Sequence, residues 1–156
     1  MRICGWMCIV VYERESVVVR LAGPEDLEWC VVEDGHVTEK VIRQKIINDE
    51  IIVAEIDNYL IGYIRLEYLW STIPYIGLVF VVEEYRDSGV GRRLIDFLVS
   101  FLDNRGHDFL LSSSQADEPE PQAWHRAMGF SECGFISGLN ENGIGEVFFR
   151  KDVTSV

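Results

Sequence analysis

The segment Tyr85-Arg86-Asp87-Ser88-Gly89-Val90-Gly91 carries the residue types and spacing with the clearest chemical use. It follows the apolar run Tyr75 to Val82 and precedes Leu94, Ile95, Leu98, Phe101 and Leu102, which recur at helical spacing. A glycine-bearing turn therefore joins a strand to the start of a helix. The first amides of a helix lack intrahelical partners, and the helix dipole adds partial positive charge there, so such an end binds phosphate. Gly89 and Gly91 allow close backbone approach or a positive φ, and Arg86 can add a charge-assisted hydrogen bond to a phosphate oxygen. A plain turn whose glycines only relieve crowding is the alternative. The segment has neither the Gly-Lys-Ser/Thr ending of an NTPase loop nor a full Gly-x-Gly-x-x-Gly dinucleotide fingerprint. What stands is Arg-x-x-Gly-x-Gly.

On Val81, Tyr85, Arg86, Gly89, Val90 and Gly91 the chain resembles the GNAT superfamily of acetyl-CoA-dependent N-acetyltransferases. Downstream, Ala123-Trp124-His125-Arg126-Ala127-Met128-Gly129-Phe130 is similar to that family's helix ending in a Gly-Phe pair. Two motifs in the right order are more specific than one. The resemblance covers Val17 to Lys151. It implies a mixed α/β sheet of the acyl-CoA N-acyltransferase fold, with a central strand followed by a pyrophosphate-binding helix. It also implies transfer of an acetyl group from acetyl-CoA, as co-substrate, to a primary amine by direct attack.

Further implications fall on single residues. The amides of Asp87, Ser88, Gly89, Val90, Gly91 and Arg92 should hold the CoA pyrophosphate, with Arg86 shaping the loop. A backbone N–H near Val81 or Val82 should polarise the thioester carbonyl. Where relatives carry a tyrosine four residues before the Gly-Phe glycine, this chain has His125, either a proton donor to the leaving thiolate or a surface histidine that contacts CoA or solvent. Where relatives often place a carboxylate in the central strand, it has Gly77. Glu67 is then the first candidate base, because strand alternation puts it on one face with Arg65 and Tyr63. Glu84 and Glu146 come next, against the alternatives of plain solvated charges or a water relay. Asp117 to Pro121 replaces the family's usual asparagine, so Gln115 or Ser114 is expected to supply the pantetheine contact. Because the carboxylate and tyrosine positions depart from the pattern, a catalytically inactive acyl-CoA-binding sensor or interaction module of the same fold stands beside the enzyme.

The elements that must position these groups are legible in outline. Residues 16–156 read as one domain behind an N-terminal extension, 1–15, whose run Met7 to Tyr12 is either an extra strand or a loose lead-in. Val17 to Leu21 is a strand. Pro24 then opens a short helix with Leu27, Cys30 and Val31 on its apolar face, and a second helix spans Thr38 to Asn48 with Val41, Ile42 and Ile46 inward. Ile51 to Ile56 and Leu60 to Leu69 are strands about an Asp57-Asn58 turn, and Ser71 to Pro74 turns into the central strand, expected to be buried on both faces. Phe109 to Leu111 with the serines after it, a turn over Asp117 to Pro121, a helix from Pro121 to Met128, and a last hairpin over Ser131 to Leu139 and Glu146 to Lys151 complete the order. Tyr59, Tyr63, Tyr68, Trp70 and Tyr75 are expected mainly as core or cross-strand pairs.

Fourteen basic against 26 acidic residues give a net charge of −12, which opposes nucleic acid or a membrane surface as partner and either favours a cationic acceptor or only confers solubility. No window offers the roughly 18 consecutive apolar residues of a membrane span, and residues 1–15 do not read as a signal peptide. Cys4, Cys8, Cys30 and Cys133 with His36, His107 and His125 show no metal-ligand spacing, so no metal is expected. Free thiols fit a cytoplasmic protein, and sheet edges leave a homodimer open.

Overall fold

The computed structural model describes residues 16–154; the expectations for Met1 to Glu15, including the strand at Met7 to Tyr12 and the thiols of Cys4 and Cys8, lie outside the described residues. Strand β2 (Ile51–Ile56) shows how the layers arise, because its first four side chains are all buried. Successive side chains of a strand point to opposite faces, so both faces of the sheet must be covered. Ile51 and Val53 pack with Cys30, Ile42 and Ile46 under α1 (Leu27–Glu33) and α2 (Glu39–Ile47). Ile52 and Ala54 pack in the other layer with Leu94, Ile95, Leu98 and Leu102 of α3 (Val90–Asp103), which α4 (Pro119–Ala127) joins through Trp124 and Met128.

The other strands are β1 (Val18–Leu21), β3 (Tyr59–Leu69), β4 (Ile73–Val81), β5 (Phe109–Gln115), β6 (Ser131–Ile136) and β7 (Glu146–Asp152). They form one seven-stranded sheet in the order β1-β2-β3-β4-β5-β7-β6. Every pairing is antiparallel except β4 with β5, which run parallel and meet at a single register position, Tyr75 opposite Leu111. Beyond that pair the two strands part.

Asp57 and Asn58 take positive φ of 48° and 65°, the left-handed pair that a two-residue hairpin requires. The next hairpin closes earlier than expected, over Trp70 and Ser71 at φ 49° and 63°, so β4 begins at Ile73 and Pro74 lies within it opposite Tyr68. The central strand is also not buried on both faces: from Gly77 to Val81 every residue is half-exposed, because β5 has turned away. On α2 the inward positions are Ile42, Lys45 and Ile46, whereas Val41 is exposed. Helix α4 starts at Pro119, ahead of the expected Pro121; both prolines fit its first turn, where an N–H would lack an intrahelical acceptor anyway. Of the middle-strand aromatics Tyr63 is fully buried, but Tyr59 and Trp70 are exposed near the hairpin tips.

Candidate active site

At the end of β4 a 3-10 turn (Glu83–Tyr85) leads into the loop before α3. The Ser88 hydroxyl donates to the Tyr85 carbonyl and the Arg86 Nε–H donates to the Val81 carbonyl at 3.0 Å, so the loop is pinned from both ends. Gly89 at φ 89° is the left-handed N-cap of α3. No side chain caps this helix and its first turn holds no acidic residue. The first helical bond is from the Arg93 amide to the Gly89 carbonyl, and among the described residues the amides of Asp87, Ser88, Gly89, Val90, Gly91 and Arg92 donate to no protein acceptor. Asp87, Ser88, Gly89 and Arg92 are exposed, so these donors face solvent. Gly91 lies against α4, where an added Cβ would come 3.3 Å from Trp124 Nε1.

The parting of β4 from β5 exposes a strand edge next to that helix end. The Val82 amide donates to the Ile61 carbonyl at 2.9 Å, so Val82 points into the β3 ladder. Backbone polar groups alternate sides along a strand, so those of Val81 point into the gap, where its carbonyl meets Arg86. Of the two amides expected to polarise a carbonyl, Val81 has the open direction and Val82 is already used. Ser114 Oγ of β5 is buried and has no hydrogen-bond partner among the described residues. A buried hydroxyl without a partner costs roughly 1–3 kcal/mol, which a ligand amide in the gap would relieve. An uncapped helix end, an open strand amide and a buried hydroxyl are the polar groups that this part of the fold leaves without partners among the described residues.

Glu67 lies opposite Tyr75 in the β3–β4 register. Its Oε2 pairs with Lys45 Nζ at 2.7 Å and its Oε1 with Arg65 Nη1. Lys45 also reaches Glu50 at 2.9 Å and the Leu66 carbonyl at 2.7 Å, while Arg65 Nε donates to Asp34 at 2.6 Å and the Tyr63 hydroxyl to the same oxygen at 2.9 Å. This network latches α1 and α2 to β3. It also explains Gly77: a Cβ there would lie 2.7 Å from Glu67 Cγ and 2.8 Å from Arg65 Nη1. The Glu67 side chain thus fills the space over Gly77 of the central strand, with both its oxygens paired to cations. Glu84 is exposed on the 3-10 turn.

His125 is enclosed between α4 and the sheet. It is 4% exposed, stacked on Phe149 with ring centroids 4.4 Å apart, and edged by Trp124 and Phe130. Its Nδ1 lies 2.7 Å from the Pro121 carbonyl, which can only accept, so Nδ1 carries the proton. Its Nε2, 2.7 Å from Ser112 Oγ, is then the acceptor of that hydroxyl. Burial holds its pKa below the ordinary value, although the bond to Pro121 pulls the other way. This neutral, fully bonded imidazole ties α4 to β5, and the surface position expected as the alternative to a thiolate acid is not the one it takes.

A third group was overlooked in the sequence. Tyr75 Oη lies 2.7 Å from Ser113 Oγ, which donates to Glu146 Oε1 at 2.5 Å, while Asn140 Nδ2 donates to Oε2 at 2.7 Å. Burial pushes the Tyr75 hydroxyl pKa up, with the Ser113 bond acting against it. Glu146 is one of the candidate bases, but nothing in the strand pattern of Tyr75 or in the run Ser112-Ser113-Ser114 marks a connection across three strands. Among the described residues no group of His, Cys, Asp and Glu side chains could hold a metal ion, and no helix is long and apolar enough to cross a membrane.

The mixed sheet thus opens between two parallel strands beside an uncapped helix end. A sequence profile of the acetyltransferase (GNAT) family matches residues 11–130, and the chain belongs to that family. No curated protein matches it. Among solved structures, a candidate GNAT-family acetyltransferase from Desulfovibrio desulfuricans superposes with a TM-score of 0.77 at 18% identity, over 89% of this chain and 100% of its own. The ribosomal-protein-S18-alanine N-acetyltransferase of Escherichia coli gives 0.74 at 14% identity, over 90% and 96%. A candidate streptothricin acetyltransferase from Bacillus anthracis, solved with acetyl coenzyme A, gives 0.61 at 23% identity over 65% and 61%. At such identities the likeness speaks for the fold.

Proposed function

We propose that this chain is an N-acetyltransferase that moves the acetyl group of acetyl-CoA to a primary amine by direct attack. The observation that carries this is the run of unpartnered amides from Asp87 to Arg92 beside the open Val81 edge. In this reading the loop amides and Arg86 hold the pyrophosphate, Ser114 takes a pantetheine amide, and a backbone N–H on the open edge of β4 between Gly77 and Val81 stabilises the oxyanion of the tetrahedral intermediate. The amine nitrogen bonds to the thioester carbon, the C–S bond breaks, and the thiolate takes a proton. No protein side chain need supply that proton, since a thiol of ordinary acidity near 8.5 leaves as thiolate with little help. The acceptor is cationic before attack in this reading, which the net charge of −12 supports.

Glu67 and His125 give the acyl-CoA-binding module without turnover its support, since one is clamped by cations and the other sealed in the core. Release of free CoA thiol from acetyl-CoA across a panel of polyamines, amino acid derivatives and N-terminal peptides separates the two. Amine-dependent release is the expected result. Thermal stabilisation by acetyl-CoA with no release from any amine would decide for the module, and no binding at all would defeat both readings.

A further inference from the structure

Tyr75, Ser113 and Glu146 come from β4, β5 and β7 and share one face of the sheet. Phe148, two residues from Glu146, pairs with Ser113 in register, and its ring centroid lies 6.2 Å from that of Tyr75. All three polar residues are half-buried, on the side that bears Glu67. The direction of the chain of hydrogen bonds is fixed by elementary valence. The Glu146 carboxylate only accepts, so the single Ser113 hydroxyl proton is committed to it. The Tyr75 hydroxyl, 2.7 Å from Ser113 Oγ, must then donate to Ser113. Every proton points toward Glu146, and the phenolic oxygen keeps a lone pair free to accept one more.

Resting on the acetyltransferase reading, we propose that Tyr75, Ser113 and Glu146 form a proton relay that deprotonates the acceptor ammonium, with Glu146 as the terminal base. As the ammonium N–H bond breaks, the proton joins Tyr75 Oη, the former phenolic proton moves to Ser113 Oγ, and the former seryl proton moves to Glu146 Oε1. Tyr75 and Ser113 end unchanged, the amine is neutral, and Glu146 is a carboxylic acid that returns its proton to solvent. Asn140, bonded to Oε2, keeps the other oxygen oriented. The charged groups facing the relay are Arg65 and Glu67 from β3, and His125 beneath the sheet feels the charge of Glu146.

The test compares wild type with Tyr75→Phe, Ser113→Ala, Ser113→Thr and Glu146→Gln in the thiol-release assay, with the acetyl-CoA Kd measured alongside. Loss of general-base assistance should lower kcat/KM for the amine about 10²-fold near neutral pH in Ser113→Ala and Glu146→Gln, with the acetyl-CoA Kd unchanged. Ser113→Thr, which keeps a hydroxyl, should recover most of it. As pH rises toward the amine's own pKa the deficit should shrink, because a neutral amine needs no base. A deficit equal at every pH, or none, in an enzyme whose wild type turns over would overturn the relay and leave the acetyltransferase reading standing. If wild type acetylates nothing, the ultraviolet titration of Tyr75, isolated by subtracting Tyr75→Phe, decides the relay separately. Replacing Glu146 by Gln should lower the Tyr75 midpoint, and an unmoved midpoint would show that the two groups are not connected.

Discussion

His125 illustrates how far a side chain's chemistry depends on what surrounds it. At the family's tyrosine position its type suggested proton transfer, yet both ring nitrogens are bonded inside the protein. Because burial lowers its pKa in the folded state, the unfolded chain binds the proton more readily. The stability attached to neutral His125 is therefore present above the ordinary value near 6.5 and is lost as pH falls below it. Urea unfolding at a pH of about 7.5 and about 5.5 should show a loss in wild type that is smaller in His125→Leu. That variant should also be less stable at the higher pH by about 1–3 kcal/mol, having orphaned Ser112 Oγ or the Pro121 carbonyl. Retained thiol release by whatever variant stays folded would agree with a core role; a selective fall in kcat would contradict it. The sequence could not show this, because the position of His125 relative to Ser112 and Phe149 is made by packing α4 on β5 and β7. The same holds for Lys45 and Arg65, whose charges are paired beneath α2 by residues far apart in the chain.

Elements were more legible than contacts, and for a local reason. Asp57-Asn58 and Gly89 announce left-handed backbone by residue type, and the apolar spacing of Leu94, Ile95, Leu98 and Leu102 announces a helix face; each signal lies within one turn or one helix. Gly89→Ala should therefore act through backbone conformation alone: no atom lies within 4 Å of an added Cβ, but φ 89° suits L-residues poorly. The expected cost is about 1–2 kcal/mol of stability, or a twist of the loop that turns its amides away from the pyrophosphate. Calorimetric titration with acetyl-CoA should show weaker binding than wild type, and with desulfo- or dephospho-analogues that keep the pyrophosphate the same weakening should appear. Unchanged affinity would remove the loop from the site. What the element pattern could not reveal was the parting of β4 from β5. An unbroken apolar run reads as a strand buried on both faces and says nothing of its edges, and only the tertiary arrangement leaves one edge of Gly77 to Val81 open.

Across the whole molecule, the acidic balance bears on recognition. A net charge of −12 attracts cations over most of the surface, and even the loop before α3 sets Glu83, Glu84 and Asp87 around Arg86. The single register pair joining β4 to β5 has another consequence. With so little ladder between them, β1 to β4 and β5 to β7 are two patches of backbone that can exchange their amide hydrogens with solvent at different rates, each a separate cooperative unit. Hydrogen-exchange mass spectrometry should find β5, β7 and β6 opening apart from β2 and β3 in the free protein. A ligand that fills the gap bridges both patches, and acetyl-CoA should then slow exchange on the two sides together, including residues of β7 that it never touches. The sheet would be held as one piece by its own substrate, and it would loosen again each time spent coenzyme leaves.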